Sequence, residues 1–476
     1  MKKINFKPLI MKRINNLILI FPLFFLLFFS VEASNKIPEN SNGWVAGVAR
    51  VNITPTEPMW MAGYASRTHP SEGKLHDLWA KALVLKDTKG NTAVLVTTDI
   101  VGFPKKMADH ICSRLNSEYN LSRSQIILNS SHTHSGPVLQ GSLVDVYPMG
   151  TNEWEKVDHY SVQLEDQIVK VVGKALKSLK PANLYSGSGI TRFQVNRRNN
   201  NEQKLSAQSE LKGPNDYAVP VLKVTNPKGE IVALAFGYAC HGTVLNGYQW
   251  SGDYPGFAQI ELEKSFPGTT AMFFQGTAGD QNPIPRRTIP LAQQYGEELA
   301  GAVKRVVKEE MKPLAPEIST AYSKIELPLE NGPTEETLLQ LVNSSTGYQQ
   351  NWAKRMLGKI KSGEPFIKSY DFPIQIWKLG DQLVMALGGE PTIEYDLKLK
   401  QLFGNGTFVL GYSNDVMSYI PSEIIIKEGG YEGNTSQTAY GLPAAWKPSI
   451  EKKILQGMVT LGEKVGIPTT KELLEK

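Results

Sequence analysis

Short apolar runs alternate with longer stretches in which apolar positions recur at helical spacing, and the alternation continues along most of the chain. The short runs predict strands at Trp44–Ile53, Ala80–Leu85, Ala93–Thr98, Gln125–Asn129, Val219–Val224, Ile231–Tyr238, Thr270–Phe274, Ile374–Trp377, Leu383–Leu387 and Phe408–Leu410. Between many of them, helices are predicted at Lys105–Leu115, Trp154–Leu179, Gly256–Lys264, Leu291–Lys308, Glu335–Leu341, Tyr348–Lys361, Ile393–Leu402 and Lys447–Lys464. Strands interleaved with helices predict an α/β (mixed α+β) fold, a layered mixed β-sheet core with surrounding helices. No eightfold barrel pattern, internal repeat or Gly/Ser linker breaks the chain, so residues 34–476 read as a single domain.

The start of the chain departs from this pattern. Lys2, Lys3, Lys7, Lys12 and Arg13 precede the apolar run Leu17–Phe29, and Val31-Glu-Ala33 closes it. That order predicts a signal peptide over residues 1–33, cut after Ala33, and hence a periplasmic or secreted protein. Met11 is an alternative start, and the apolar run is too short to predict a membrane span. The formal net charge of +5 comes mostly from this leader: losing five basic residues and Glu32 leaves 5 − 4 = +1. No mature basic tract remains to favour nucleic acid. Cys112 and Cys240 are read either as one disulfide or as buried free thiols, and their spacing does not suit a Cys-ligated zinc.

Several predicted strands end in polar, Gly-containing loops, where sheet enzymes place their chemistry. These loops carry Asp99, the pair His132 and His134, His241, Asp280, Glu390, and Tyr412–Asp415. On an extended segment, residues i and i+2 face the same side, so His132 and His134 can look into one site. A catalytic zinc needs N or O ligands and an open position for water, and His132 and His241 are the leading nitrogen candidates. A lone His at a strand end is more often a hydrogen-bonded core residue; the close pair reverses that preference. Glu390 is either a ligand or an acid at a helix start, and Asp280 either a site residue or a turn acid. Asp99 either orients an imidazole or ends a strand. Other His-x-His families fit poorly: Ser135-Gly136 stands where metallo-β-lactamases need an Asp two residues after the second His. The pair also follows several strands rather than the first, and the long helices do not suit a cupin.

Taken together, the motifs resemble one family, the neutral (alkaline, non-lysosomal) ceramidases. They are Asn52-Ile-Thr-Pro55, Met61-Ala-Gly-Tyr64, Thr98-Asp99, Ser131-His-Thr-His-Ser-Gly-Pro137, Cys240-His-Gly-Thr243, Gly252-Asp-Tyr-Pro-Gly256, Phe274-Gln275, Gly279-Asp280, Gly389-Glu-Pro391, Tyr419 and Tyr431-Glu432. The resemblance implies a zinc-dependent amidase of sphingolipid metabolism that splits ceramide into sphingosine and a fatty acid, with a possible peripheral contact to membrane. It further implies one zinc held by His132, His241, Glu390 and Tyr419. His134 would move protons, and Tyr431 and Arg197 would contact the substrate or its developing oxyanion.

The chain departs from the family pattern at three points. Asn282 stands where the family loop Gly-Asp-x-Ser-Pro has its Ser, the C-terminal immunoglobulin-like domain is expected to be missing, and no apolar surface segment for reaching a bilayer is evident. A related hydrolase of N-acyl or O-acyl groups on sugars or amino acids therefore stays open. So does a catalytically silent binding protein that keeps the fold.

Overall fold

The computed structural model describes residues 43–468; the predicted leader lies outside them. In chain order the main elements are β1 (Trp44–Asn52), β2 (Trp79–Lys86), β3 (Thr92–Thr98), α1 (Lys105–Tyr119), β4 (Ile126–Ser130), α2 (Thr151–Lys177), β5 (Lys180–Ile190), β6 (Ala218–Thr225), β7 (Ile231–Tyr238), α3 (Asp253–Ser265), β8 (Thr270–Gln275) and α4 (Ile289–Lys308). There follow β9 (Ile318–Pro328), α5 (Glu335–Ser344), α6 (Gly347–Lys361), β10 (Ser369–Leu379), β11 (Gln382–Leu387), α7 (Ile393–Phe403), β12 (Phe408–Leu410) and α8 (Ile450–Lys464).

The first set builds a large mixed sheet in the order β8-β7-β6-β5-β1-β2-β3-β4, and the second a small sheet in the order β9-β10-β11-β12. Period-two alternation decides which face each side chain takes. In β7, Ala233 and Ala235 enter the cluster between the sheets, whereas Leu234, Phe236 and Tyr238 pack under α3 and α4. In β2, Leu83 and Leu85 face the small sheet's Trp377 and Val384, while Ala80, Ala82 and Val84 lie under α1 and α2. The outer face of the small sheet, with Ile376, Met385 and Leu387, is covered by α7 and α8. The result is four layers, helix, sheet, sheet, helix, which is the mixed α/β architecture the sequence predicts.

Two long strands, β5 and β9, were not legible in the sequence. Both leave many of their side chains at least partly exposed, so neither forms an apolar run. In β5, Gly187 and Gly189 lie close under α4: a Cβ on them would come within 2.8 and 2.7 Å of Val306. Both cysteines are buried free thiols. Among the described residues, no helix is long and apolar enough to cross a membrane.

Strands β4, β7, β8, β11 and β12 all release loops toward one place. Asn129, fully buried near the end of β4, ties the junction together. Its Oδ1 accepts from Gln275 N at 2.8 Å, and its Nδ2 donates to Gly411 O at 2.9 Å and Ser413 Oγ at 3.1 Å. One carboxamide thus joins the ends of β4 and β8 in the large sheet to the loop leaving β12 in the small one.

Candidate metal centre

Beyond β4 the chain turns through His132, whose φ of +54° lies in the left-handed region that a non-glycine residue adopts at a cost of about 1–3 kcal/mol. Thr133 then forms a parallel bridge with Gly242, and His134 N donates to Gly242 O at 3.1 Å, so the loops after β4 and β7 are laced together. A Cβ on Gly242 would sit 3.0 Å from His132 O, which explains the glycine beside His241.

The two buried rings of His132 and His241 are oriented by backbone. Val101 O accepts from His132 Nδ1 at 2.6 Å, and Ala278 O from His241 Nδ1 at 2.6 Å. A carbonyl can only accept, so both rings carry a proton on Nδ1 and turn Nε2 toward the centre. There they meet Glu390: its Oε2 is 3.2 Å from His132 Nε2 and 3.1 Å from His241 Nε2. Tyr419 Oη lies 3.4 Å from His241 Nε2. Glu390 and Tyr419 come together because their two-residue strands pair side by side in parallel. Gly389, at φ +65°, makes that approach possible, since a Cβ there would lie 2.7 Å from Ser418 O.

Burial alone would raise the Glu390 carboxyl, but the imidazoles of His132 and His241 outweigh it and hold it well below the usual range. Burial, then the charge of Arg197, lowers His241 to about 4. The Glu390 carboxylate therefore faces two imidazole Nε2 atoms at 3.1–3.2 Å, a set of N and O donor atoms that could hold a cation. The spacing suits one: a tetrahedral zinc with bonds of about 2.0–2.1 Å has ligand–ligand edges of about 3.3–3.4 Å. His132, His134 and His241 also form a group that could hold a metal ion, their ligand atoms lying within 4.8 Å of one another.

His134 differs from its two neighbours. Its Nε2 lies 3.0 Å from His132 Nε2, its buried Nδ1 has no partner, and no carbonyl fixes its tautomer. Burial, then the two neighbouring imidazoles, pushes its pKa well below 6.5. Its ring is located by shape: a Cβ on Gly63 would come within 2.3 Å of its Cγ, and the Tyr64 ring meets it edge-on at 4.8 Å.

Arg197 is half-buried, and its three nitrogens are all engaged. Nε donates to Glu432 at 2.7 Å, one terminal nitrogen to Asn282 Oδ1 at 3.2 Å and the other to Tyr419 Oη at 3.1 Å. In this arrangement it reaches the centre through Tyr419. Asn282 thus supplies an acceptor for Arg197 where the family pattern has Ser. Tyr431 stands at the mouth, 45% exposed, its ring 5.3 Å from that of Tyr419.

Three acids of the sequence motifs, of which Asp99 and Asp280 were left open between two roles, have structural partners. Asp99 accepts from Trp79 N at 3.0 Å, while backbone carbonyls orient the ligand-type imidazoles. Asp280 accepts from Ile393 N at 2.9 Å and so caps α7. Asp253, of the Gly-Asp-Tyr-Pro-Gly motif, accepts from Val244 N at 3.2 Å and Leu245 N at 2.8 Å, clamping the loop that follows His241. Two residues at the centre were missed by sequence reasoning: Tyr412, whose hydroxyl donates to Glu390 Oε2 at 3.3 Å, and Tyr440, which donates to Glu390 Oε1. Tyr412 lies in a strand-end loop already singled out, whereas Tyr440 carries no local signal.

Two spaces adjoin the centre. A cavity of about 90 Å³ is lined by His132, His134, Glu390, Tyr419, Tyr440 and Tyr431, with apolar walls beyond them. A wide groove of about 740 Å³ lies outside, lined by Arg197, Arg198, Asn282, Arg286, Glu432 and, again, Tyr431.

The neutral/alkaline non-lysosomal ceramidase family, in its N-terminal part, matches residues 44–287. The chain belongs to this family. That match takes in His132, His134, Arg197 and His241; Glu390, Tyr419 and Tyr431 lie beyond it. Neutral ceramidases B and A of Dictyostelium discoideum are each 27% identical over 279 residues, which cover 54% of this chain and 38% of theirs. The Drosophila melanogaster neutral ceramidase is 23% identical over 256 residues, 50% of this chain and 36% of its own. These matches therefore span well under half of each relative. The crystal structure of neutral ceramidase from Pseudomonas aeruginosa shares the fold over 90% of this chain and 76% of its own, with a TM-score of 0.70 at 18% identity.

Proposed function

We propose that the chain is an exported, zinc-dependent hydrolase of N-acyl amides, with residues 34–476 as one catalytic unit. The observation that carries this reading is the convergence of two imidazole Nε2 atoms on the Glu390 carboxylate at 3.1–3.2 Å, each ring held through Nδ1 by a backbone carbonyl. In this reading His132, His241, Glu390 and Tyr419 hold one zinc, which when bound acidifies a water and polarises the amide carbonyl. His134 is assigned the proton transfers rather than the place of a third nitrogen ligand. Metal-bound imidazoles almost always hydrogen-bond through their other nitrogen, as those of His132 and His241 do, and His134 Nδ1 has no partner.

Neutral at physiological pH, His134 takes a proton from the attacking water and returns it to the departing nitrogen. Arg197 acts through Tyr419, donating to its oxygen and so favouring negative charge there. Tyr431, at the mouth, is placed to meet the substrate carbonyl. Membership of the ceramidase family supports an N-acyl lipid or a related amide as substrate.

Metal analysis of the purified protein tests the proposal. The expected result is one zinc per chain, with amide hydrolysis abolished by a chelator and restored by zinc. A zinc-free protein with undiminished turnover overturns it. So does a stoichiometric zinc protein that turns over no N-acyl amide, which then stands as a silent binding protein.

A further inference from the structure

The two spaces that meet at Tyr431 differ in size and in chemistry. An engineered cavity of about 150 Å³ holds one benzene, so in proportion about 90 Å³ holds three or four carbons. Away from the ligand atoms, its walls include Ala65, Leu143, Val146, Ala439 and the rings of Tyr147 and Tyr348. These walls are braced from behind. Arg355 makes a forked ion pair with the buried carboxylate of Asp145, at 2.9 Å from Nε and 2.5 Å from a terminal nitrogen. Asn351 Nδ2 donates to Asp145 O at 3.0 Å, and Gly63 N donates to Tyr147 Oη at 2.7 Å. The segment around Leu143–Tyr147 is thereby pinned to α6, so the cavity is small and has a fixed, apolar back wall facing the ligand atoms.

Outside Tyr431 the groove is about eight times larger by volume, about 740 against about 90 Å³. Ile284 is the one aliphatic side chain among its lining residues; the others include Asn199, Asn201 and Gln208. Its arginines are neutralised in place: Arg197 pairs with Glu432, Arg198 with Glu432 and Glu428, and Arg286 with Glu202. Such a surface offers many hydrogen bonds, little net charge and one aliphatic side chain for an alkyl chain to lie against.

From this pairing of spaces we infer that the substrate is a short-chain N-acyl amide of a bulky amine rich in hydroxyl or amide groups, an N-acetylated amino sugar being the simplest case. The inference rests on the amide-hydrolase reading above. The short acyl group lies against Leu143, Val146 and Ala439, and the polar part lies in the groove. The water oxygen joins the carbonyl carbon, the C–N bond breaks, and the water proton passes to the nitrogen, releasing a short carboxylic acid and the free polar amine.

The test uses the zinc-loaded protein and one amino sugar carrying acetyl, butyryl, octanoyl or palmitoyl, with N-acetylsphingosine and a long-chain ceramide alongside. The expected kcat/KM falls at least 100-fold from acetyl to octanoyl on the sugar, and N-acetylsphingosine is at least tenfold poorer than the acetylated sugar. Tyr348→Ala, which opens the cavity wall, should narrow the acetyl-to-octanoyl gap at least tenfold. On the non-hydrolysing His134→Ala protein, calorimetry should give at least tenfold tighter binding of the acetyl than of the octanoyl sugar. A long-chain ceramide or palmitoyl sugar that turns over as fast as the acetyl sugar overturns the inference and leaves the hydrolase reading intact. Zinc-loaded protein inert toward every compound in the panel overturns both.

Discussion

The large sheet supplies nitrogen atoms to the site and the small sheet supplies oxygen atoms, and the two sets are held differently. His132 and His241 sit in loops after β4 and β7, and each ring is oriented by a backbone carbonyl of the large-sheet half, Val101 O and Ala278 O. Glu390, Tyr412, Tyr419 and Tyr440 come from loops after β11 and β12. There Glu390 is held by two tyrosine hydroxyls, and Tyr419 by Arg197 reaching across from the large sheet. The nitrogens thus have their tautomers set within their own half of the molecule. The oxygens become a site only when the halves dock, because the guanidinium that holds Tyr419 comes from the other half. Affinity for a metal is in this view a property of the interface between the sheets.

The largest expected effect separates the two histidines that neighbour each other in sequence. His132→Ala removes a ring fixed for ligation, and zinc content should fall below a tenth of an ion per chain with turnover lost. His134→Ala should keep its zinc while kcat drops by about 10²- to 10⁴-fold, the usual size of a lost proton-transfer group. Metal analysis and kinetics on the same preparations decide the matter: equal metal loss in both variants would instead favour a three-histidine ligand set.

The contrast between the halves also explains what could be read from the sequence. The large-sheet residues announce themselves locally. A His-x-His after an apolar run, or a Cys-His-Gly after another, records a strand end with chemistry on it, and close backbone approach explains the glycine at 242. The small-sheet residues do not. Tyr419 and Tyr440 look like ordinary aromatics, and only resemblance to a family pointed to Tyr419, since its pairing with Glu390 depends on two strands of two residues each. Glu390 was visible but ambiguous; the helix beside it starts at Ile393 after an N-cap at Thr392, so the acid is free of that end and turns into the site. β5 and β9 were hidden because exposed positions and close-packing glycines erase the apolar run that marks a strand.

Asn129 tests whether the halves are joined as described. Asn129→Ala leaves Gln275 N–H buried without its partner, an orphan that costs about 1–3 kcal/mol, and removes one of two donors from Gly411 C=O, which keeps Ser413 Oγ. Stability to denaturant should fall by roughly 2–4 kcal/mol, the orphan plus about 1 kcal/mol for the bonds lost at Gly411 and Ser413, with zinc content reduced in parallel. A loss below about 1 kcal/mol would show that the sheet ends are held by other contacts.

A smaller effect isolates the large-sheet half alone. Asp253 clamps the loop after His241, and burial raises its carboxyl from 3.8 to about 6 despite three backbone N–H donors. The folded state therefore holds this proton more tightly than the unfolded chain. The sign follows: its contribution is fully present below about pH 4, declines as pH rises through 6, and then levels off. The total change is roughly 3 kcal/mol at 1.36 kcal/mol per pKa unit. Asp253→Asn keeps an acceptor for the loop but cannot titrate, so unfolding free energies of the two proteins, measured from pH 4 to 7, should diverge by that amount with the wild type losing ground. Parallel curves would mean that the N–H donors cancel the cost of burial, and that the His241 loop is held by a carboxylate stable in its charged form.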